Sequence, residues 1–392
     1  MTNKPICKAP FIALRYSADG YMVPCCWMKT IPYLKKNSTS IESYWENKTI
    51  KKIRQQMLDG VLPEGCKRCT NVDDTINYSR IEFYDRILDK DLDNYSVDQP
   101  LGLYQIDLNF SNKCNLKCRH CGPWNSTAWV KDYKQLQQLE PHFKNLNYKI
   151  NTDSTDLIHQ KKYFKNIKRL DFKGGEPMMQ DEMYILLDNL IKWDYAKNIH
   201  LVYITNGTKP YDHLKDQWNK FKSIGIGLSF EATGDLFSYV RGGEGFTWKQ
   251  FNENLQGYTK INNLQYLSLT HSIMNFTLFD LPQQVEFIID TYHRYNLKPK
   301  ATVHNHFFDN VVTNPAFLDP VILHKDIKLK LIKLYEKYNY KSIEPIKNRL
   351  ISTLEYDNEK QWKLFKSYTK SLDKIRNTNL IDHVPEFEDY LE

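Results

Sequence analysis

Apolar positions are scattered over the first hundred residues, but from about position 101 short apolar runs alternate with longer amphipathic stretches. That alternation is the signature of strand–helix units repeated around a parallel sheet. The runs predict strands over 103–108, 167–172, 199–204, 224–230, 266–274 and 299–304. Strands separated by about 20 to 60 residues suit a partial (β/α)6 barrel better than a closed eight-stranded one. Upstream, Ile41, Tyr44, Trp45, Ile53 and Met57 recur at helical intervals, and Thr39 with Glu42 has capping-box spacing, so a helix is expected over about 40–58. Ser17-Ala18-Asp19-Gly20 reads as a turn. Beyond about position 313 the spacing is again helical, as at Ile327, Leu331, Leu334 and Tyr335. The expected fold class is α/β: a small cysteine-rich, metal-stapled module over 1–75, a partial (β/α)6 barrel over 101–312, and a helical C-terminal extension over 313–392. No tandem repeat or low-complexity linker interrupts this order.

Composition narrows the class. With 41% hydrophobic and 14% aromatic residues in a chain of 392, the protein folds around a sizeable core and is neither disordered nor fibrous. No run of about 18 apolar residues occurs, and the start MTNKPICKAPFIALRY is interrupted by Lys8 and Arg15, so neither a membrane span nor a leader is expected and the cytoplasm is the default address. The net charge of +7 is spread along the chain without a dense basic block, which permits an acidic partner, nucleic acid included, without demanding one. Eight cysteines are too few for a disulfide scaffold of this size, and all of them lie within the first 121 residues. Clustering of that kind in a reducing compartment favours metal ligation, because free thiolates are soft ligands for iron or zinc.

The sharpest signal is Cys114, Cys118 and Cys121 in NFSNKCNLKCRHCG, just after the first expected barrel strand. A loop leaving the C-terminal end of a strand is where barrel active sites are built. Three thiolates hold three corners of a cubane cluster and leave the fourth iron open to a substrate ligand, whereas structural zinc takes four protein ligands. This spacing resembles the cluster motif of the radical S-adenosylmethionine superfamily. The resemblance implies a catalytic [4Fe-4S] cluster whose open iron chelates the amino and carboxylate groups of S-adenosylmethionine. One electron then splits that molecule into methionine and a 5′-deoxyadenosyl radical. His120 stands where that family commonly has an aromatic residue, and it keeps a zinc site open as an alternative.

One strand–helix unit later comes Gly174-Gly175-Glu176-Pro177. Adjacent glycines let backbone approach a ligand, and a carboxylate accepts protons from an ammonium group. The string is similar to the family's Gly-Gly-Glu-Pro motif, which holds the methionyl amino group. Thr205-Asn206-Gly207 ends the third strand. Ser229 ends the fourth, and Arg241 follows in YVRGGEG. By the same resemblance Ser229 and Arg241 face the ribose and carboxylate of S-adenosylmethionine, an arginine fork being suited to a carboxylate. Asn275, closing the next strand, is a further cofactor candidate.

The remaining cysteines, Cys7, Cys25, Cys26, Cys66 and Cys69, have metal-ligand spacing that fits zinc or iron–sulfur. Their order, with Gly20 before Cys25 and the stretch SYWENKTIKKIRQQMLDGVLPEGC, resembles the first part of the SPASM extension or its shortened form, twitch. Such extensions usually follow the barrel, and here the module precedes it. The resemblance implies one auxiliary [4Fe-4S] cluster. Five cysteines compete for four places, with Cys7, Cys25, Cys66 and Cys69 favoured and Cys26 the spare. The expected function is hydrogen abstraction from a peptide or protein for oxidative modification, with an external electron donor. The rivals are modification of RNA or a metabolite, and a non-catalytic zinc or iron–sulfur protein.

Overall fold

Gln105-Ile106-Asp107-Leu108 is a short run buried at all four positions, and its counterparts are buried almost throughout, the condition for a parallel sheet covered on both faces. The computed structural model describes residues 5–17, 21–28, 34–35, 40–69, 80–87, 94–98, 102–144, 148, 156–242, 245–297 and 311–391. Its strands are β1 (Ala13–Tyr16), β2 (Tyr21–Val23), β3 (Leu34–Lys35), β4 (Gln105–Leu108), β5 (Arg169–Phe172), β6 (His200–Thr205), β7 (Ser223–Ser229) and β8 (Leu264–Thr270). They form one sheet in the order β3-β2-β1-β4-β5-β6-β7-β8. The run from β1 to β8 through β4 is parallel throughout, and β2 and β3 add antiparallel at one edge.

Strands β4 to β8 match five of the six expected runs, and the sixth, 299–304, lies outside the described residues. A sixth parallel strand nevertheless exists. It is β1, from the N-terminal region, paired with β4 in the register Arg15↔Asp107. Of the expected turn, Ala18, Asp19 and Gly20 lie outside the described residues, but Ser17 N donates to Tyr21 O across it at 2.9 Å.

The longer helices are α1 (Ile41–Trp45), α2 (Lys48–Leu58), α3 (Val130–Leu139), α4 (Asp181–Lys192), α5 (Gly234–Arg241), α6 (Trp248–Tyr258), α7 (Leu281–Arg294), α8 (Lys325–Tyr335), α9 (Glu344–Ser352) and α10 (Glu359–Arg376). The single helix expected over 40–58 is therefore two. Ser40 caps α1 by accepting from Ser43 N, and Asn47 opens α2 by accepting from Thr49 N, so a second N-cap interrupts the first helix. Thr39, the expected cap, lies outside the described residues.

One sheet face carries Ile106, Leu108, Leu170, Phe172, Leu201, Tyr203, Ile226 and Leu228, none more than 1% exposed. Met183, Leu186, Leu187 and Leu190 of α4, each 0% exposed, belong to the same hydrophobic core. The opposite face is polar. Arg15, Asp107 and Asp171 stand side by side in register, Lys173 donates to Asp107 at 2.7 Å, and the Arg169 guanidinium grips both oxygens of Asp171 at 2.7 and 2.9 Å. Gly225 makes room on this face, since a Cβ there would lie 2.4 Å from the Tyr266 ring. The C-terminal helices pack back onto the loops above the strands: Tyr335 Oη donates to Leu278 O at 2.8 Å, and α10 lies against α3.

Candidate metal and cofactor site

The three cysteines sit on the loop that leaves β4. Cys118 is 8% exposed, with Cys114 and Cys121 half-buried beside it. The loop is held by its own neighbours. Trp129 Nε1 donates to Cys118 O at 2.9 Å, Ser126 Oγ to Leu116 O at 2.6 Å, and Cys121 N to Cys118 O at 2.9 Å. Arg119 N reaches Val240 O at 2.8 Å, tying the loop to α5 beyond β7.

Beneath the loop lies the glycine turn. Gly174 and Gly175 have φ of +75° and +32°, and a Cβ at Gly175 would stand 2.3 Å from Lys113 O, so only glycine allows the two backbones this approach. Glu176 N then donates to Lys113 O at 2.8 Å. The Glu176 carboxylate is 0% exposed; it accepts from Met178 N (3.1 Å) and Thr205 Oγ1 (2.8 Å) on one oxygen and from Asn206 N (2.7 Å) on the other. A carboxylate has about four acceptor positions, and the three donors leave one on Oε2. Burial raises the Glu176 pKa, and the three donors oppose that rise. Pro177 starts the short helical turn Pro177–Met179 that Glu176 caps. Asn206 also links the two motifs sideways, its Nδ2 lying 2.9 Å from Asn115 Oδ1 and 3.7 Å from Cys114 Sγ.

Arg241 ends α5, which stops there because Gly242 takes the left-handed conformation at φ +57°. Its side chain is buried with that of Glu231, Nη1 to Oε2 2.6 Å, and His120 Nε2 approaches the other Glu231 oxygen at 3.8 Å. Burial works against the Arg241 charge, but the Cys118 sulfur and Glu231 raise its pKa above the ordinary value. Burial pushes the Cys121 thiol up to about 12, with Cys114 adding to the rise. It raises the Cys118 and Cys114 thiols as well. Three neighbouring thiols, one buried and two half-buried, that repel one another as thiolates next to a buried guanidinium fit a group that brings positive charge of its own, as an iron–sulfur centre does.

Residues 108–266 match the Radical SAM superfamily. No curated protein matches the chain. Among solved structures, anSMEcpe with bound AdoMet is 15% identical, with a TM-score of 0.38 over 62% of this chain and 62% of that one. Streptococcus suis SuiB bound to S-adenosylmethionine is 12% identical at a TM-score of 0.34, covering 71% of this chain and 59% of that one. The chain thus spans less than two thirds of the length of either.

The matched segment, 108–266, contains every candidate named downstream of residue 101 except Asn275. Ser229 ends β7 in register with Thr270 of β8 and is half-buried. Asn275 is turned to the protein itself: it is 0% exposed, its Nδ2 donates to Phe317 O at 3.1 Å and its Oδ1 accepts from Phe276 N at 2.9 Å. Glu231, the partner of Arg241, went unassigned in the sequence. Its one signal there is an acid in the otherwise apolar and small run GIGLSFEATG.

Four of the N-terminal cysteines, Cys7, Cys25, Cys66 and Cys69, line a single pocket with Met28 and Met57. Burial pushes Cys7 up to about 12, with Cys66 and Cys69 adding to it, and Cys66 up to about 11, with Cys69 adding. Cys26 does not line this pocket. Its carbonyl accepts from Arg15 Nη1 at 3.4 Å, and its sulfur helps hold Lys173, on the polar face of the sheet, in the charged form. Among the described residues no three or more His, Cys, Asp or Glu side chains surround one metal-ion position, and no helix is long and apolar enough to cross a membrane.

Helix α10 reaches the same loop. Arg119 is 2% exposed; it donates to Asp373 (2.6 Å), Thr378 (2.8 Å) and Tyr239 O (3.0 Å), and its guanidinium lies 3.5 Å from the centre of the Tyr239 ring. Tyr368 Oη donates to Arg119 O at 2.6 Å.

Proposed function

We propose that the chain is a radical SAM enzyme that binds a [4Fe-4S] cluster through Cys114, Cys118 and Cys121 and cleaves S-adenosylmethionine reductively. The observation that carries this reading is the close packing of the Gly174-Gly175-Glu176 turn under the cysteine loop at Lys113, which brings two motifs 60 residues apart into one site. When bound, the cluster supplies the electron that breaks a carbon–sulfur bond of the sulfonium. The chain's own residues orient the cofactor: Glu176, held by Thr205 and Asn206, offers its open acceptor position to the methionyl ammonium. Arg241 and Glu231 keep fixed charge beside Cys118. Ser229 and Asn275 remain candidates for cofactor contact, Asn275 through its carbonyl oxygen, which has a second acceptor position.

Residues 101–312 are read as a partial barrel, 1–75 as an auxiliary module and 313–392 as an extension. Cys7, Cys25, Cys66 and Cys69 are proposed to hold a second [4Fe-4S] cluster, a reading supported by their shared pocket. The proposed reaction is hydrogen abstraction followed by oxidation of a peptide or protein in the cytoplasm. Its support is the likeness of the N-terminal cysteines to an auxiliary-cluster extension and an open cleft of about 1070 Å³ beside the cysteine loop, bordered by Asn115, Lys117, Thr208, Gln250 and Arg376.

Anaerobic reconstitution with iron and sulfide tests the reading. A brown protein that forms 5′-deoxyadenosine from S-adenosylmethionine with dithionite is expected. A fully metallated Cys118→Ala protein with unchanged cleavage would refute it. Mass spectrometry of peptides incubated with the reduced protein reads the substrate class.

A further inference from the structure

On the polar face of the sheet, charged side chains from β1, β4 and β5 meet at the C-terminal ends of the strands. Arg15 stands in register with Asp107, and Asp107 with Asp171, which precedes Lys173 and the Gly174-Gly175-Glu176 turn. The two acids are engaged differently. Asp171 is filled: Arg169 donates to both of its oxygens, at 2.7 and 2.9 Å, and Gln105 Nε2 adds a third donor at 2.8 Å. Asp107 accepts from Lys173 Nζ at 2.7 Å through one oxygen, and its other oxygen is buried without a partner. Among the described residues of this face, the cations Arg15, Arg169 and Lys173 therefore stand against the carboxylates Asp107 and Asp171 alone. An unmatched charge withdrawn from water is costly until an anion joins it.

Arg169 is spent on Asp171, so the excess falls to Arg15 and Lys173. Both lie beside Cys26. Arg15 Nη1 is 3.4 Å from Cys26 O, and although burial works against the Lys173 charge, Asp107, Asp171 and the Cys26 sulfur hold it. Lys173 is also within reach of a ligand, its side chain being 28% exposed against 6% for Asp107. A single bond to Asp107 fixes the ammonium in place and uses one of its three donors. Arg15 is half-buried, with Nε unpartnered.

We propose that Lys173, with Arg15 behind it, anchors a carboxylate of the substrate beside the Gly174-Gly175-Glu176 turn. The proposal rests on the functional reading above and adds the chemistry that its substrate must carry. A purely structural Lys173–Asp107 pair leaves Arg15 uncompensated, whereas a bound carboxylate balances it. The bonds involved are charge-assisted, about twice as strong as neutral ones. A peptide or protein offers a carboxylate at its free C-terminus or on an Asp or Glu side chain. Either way, the anchor fixes which carbon of the substrate stands nearest to the cofactor.

The test is retention of random pentapeptides on the reconstituted protein, with S-adenosylmethionine present and no reductant, read by mass spectrometry. Three pools are compared: a free C-terminus without Asp or Glu, a C-terminal amide without Asp or Glu, and a C-terminal amide with a single Asp. The parent should retain one of the two carboxylate pools about tenfold over the uncharged pool, and which one it retains identifies the source of the carboxylate. Lys173→Met should bring that ratio to within about twofold of unity, and Lys173→Arg should keep most of it. Because Lys173→Met strands a buried carboxylate, the paired variant Asp107→Asn with Lys173→Met is measured beside it and should show the same loss. Comparing pools on one protein removes the amount of folded protein from the ratio. Equal retention of all three pools by the parent, preference for the uncharged pool, or a ratio that survives in both Lys173→Met proteins overturns the proposal. A parent that selects carboxylates through Lys173 yet forms no 5′-deoxyadenosine with dithionite refutes the functional reading and leaves the anchor intact; cleavage without selection refutes the anchor alone.

Discussion

Glu176 illustrates how a residue's role depends on its donors. Thr205 and Asn206 hold its carboxylate from the far side, so replacing it by glutamine sets an amide NH2 against groups that already donate. Leaving buried donors unsatisfied costs about 1–3 kcal/mol, so Glu176→Gln should bind S-adenosylmethionine about tenfold or more weakly in equilibrium dialysis. Unchanged affinity would remove the carboxylate from cofactor recognition. The N-terminal thiols allow a similar test by iron analysis. Reconstituted Cys26→Ala should keep its full iron content, because Cys26 lies outside the pocket of Cys7, Cys25, Cys66 and Cys69, whereas Cys66→Ala should lose about four irons per chain. Equal iron in the two variants would rule out this division of the five cysteines.

Helix α10 acts on the cysteine loop through Arg119. Asp373 and Tyr368 hold Arg119 from both ends, and Arg119 lies between Cys118 and Cys121. Asp373→Ala leaves a buried guanidinium with one partner fewer, a loss of about 3–5 kcal/mol, which should appear as a lower Tm in the metal-free protein. Asp373→Glu should recover part of it. A Tm within a degree of the parent would mean that Thr378 and the Tyr239 carbonyl suffice. This clamp was illegible in the sequence: Asp373 is 254 positions from Arg119, and helical spacing in α10 reveals its buried face but not what that face covers. Strand β1 is similar. Four residues, Ala-Leu-Arg-Tyr, are too short to display a period, and pairing with β4 makes them a strand.

At the scale of the molecule, thiols withdrawn wholly or partly from water tie stability to pH. Cys7 and Cys121 are raised from the ordinary thiol value of 9.0 to about 12 and Cys66 to about 11, chiefly by burial. A group whose pKa is higher in the folded chain than in the unfolded one supports the fold fully below the unfolded value and loses that support as pH rises through the folded one. The metal-free protein should therefore lose stability between about pH 9 and pH 12. Thermal melts across that range measure it. Reconstituted protein should show a flatter profile there, since ligated thiolates carry no proton to lose. Parallel profiles for the two forms would mean that metal does not occupy these thiols.

The sequence by itself determined the strand–helix alternation of β4 to β8, the cysteine triplet and the Gly-Gly-Glu-Pro turn, because each is written in neighbouring residues whose periodicity or spacing is local. Only the tertiary structure decided that Glu231 faces Arg241, that Cys26 parts from the other N-terminal cysteines, that β1 joins the sheet and that α10 braces the cysteine loop. Those are contacts between distant segments. They follow from which buried faces and charges must be satisfied by one another, a condition that the chain meets only once folded.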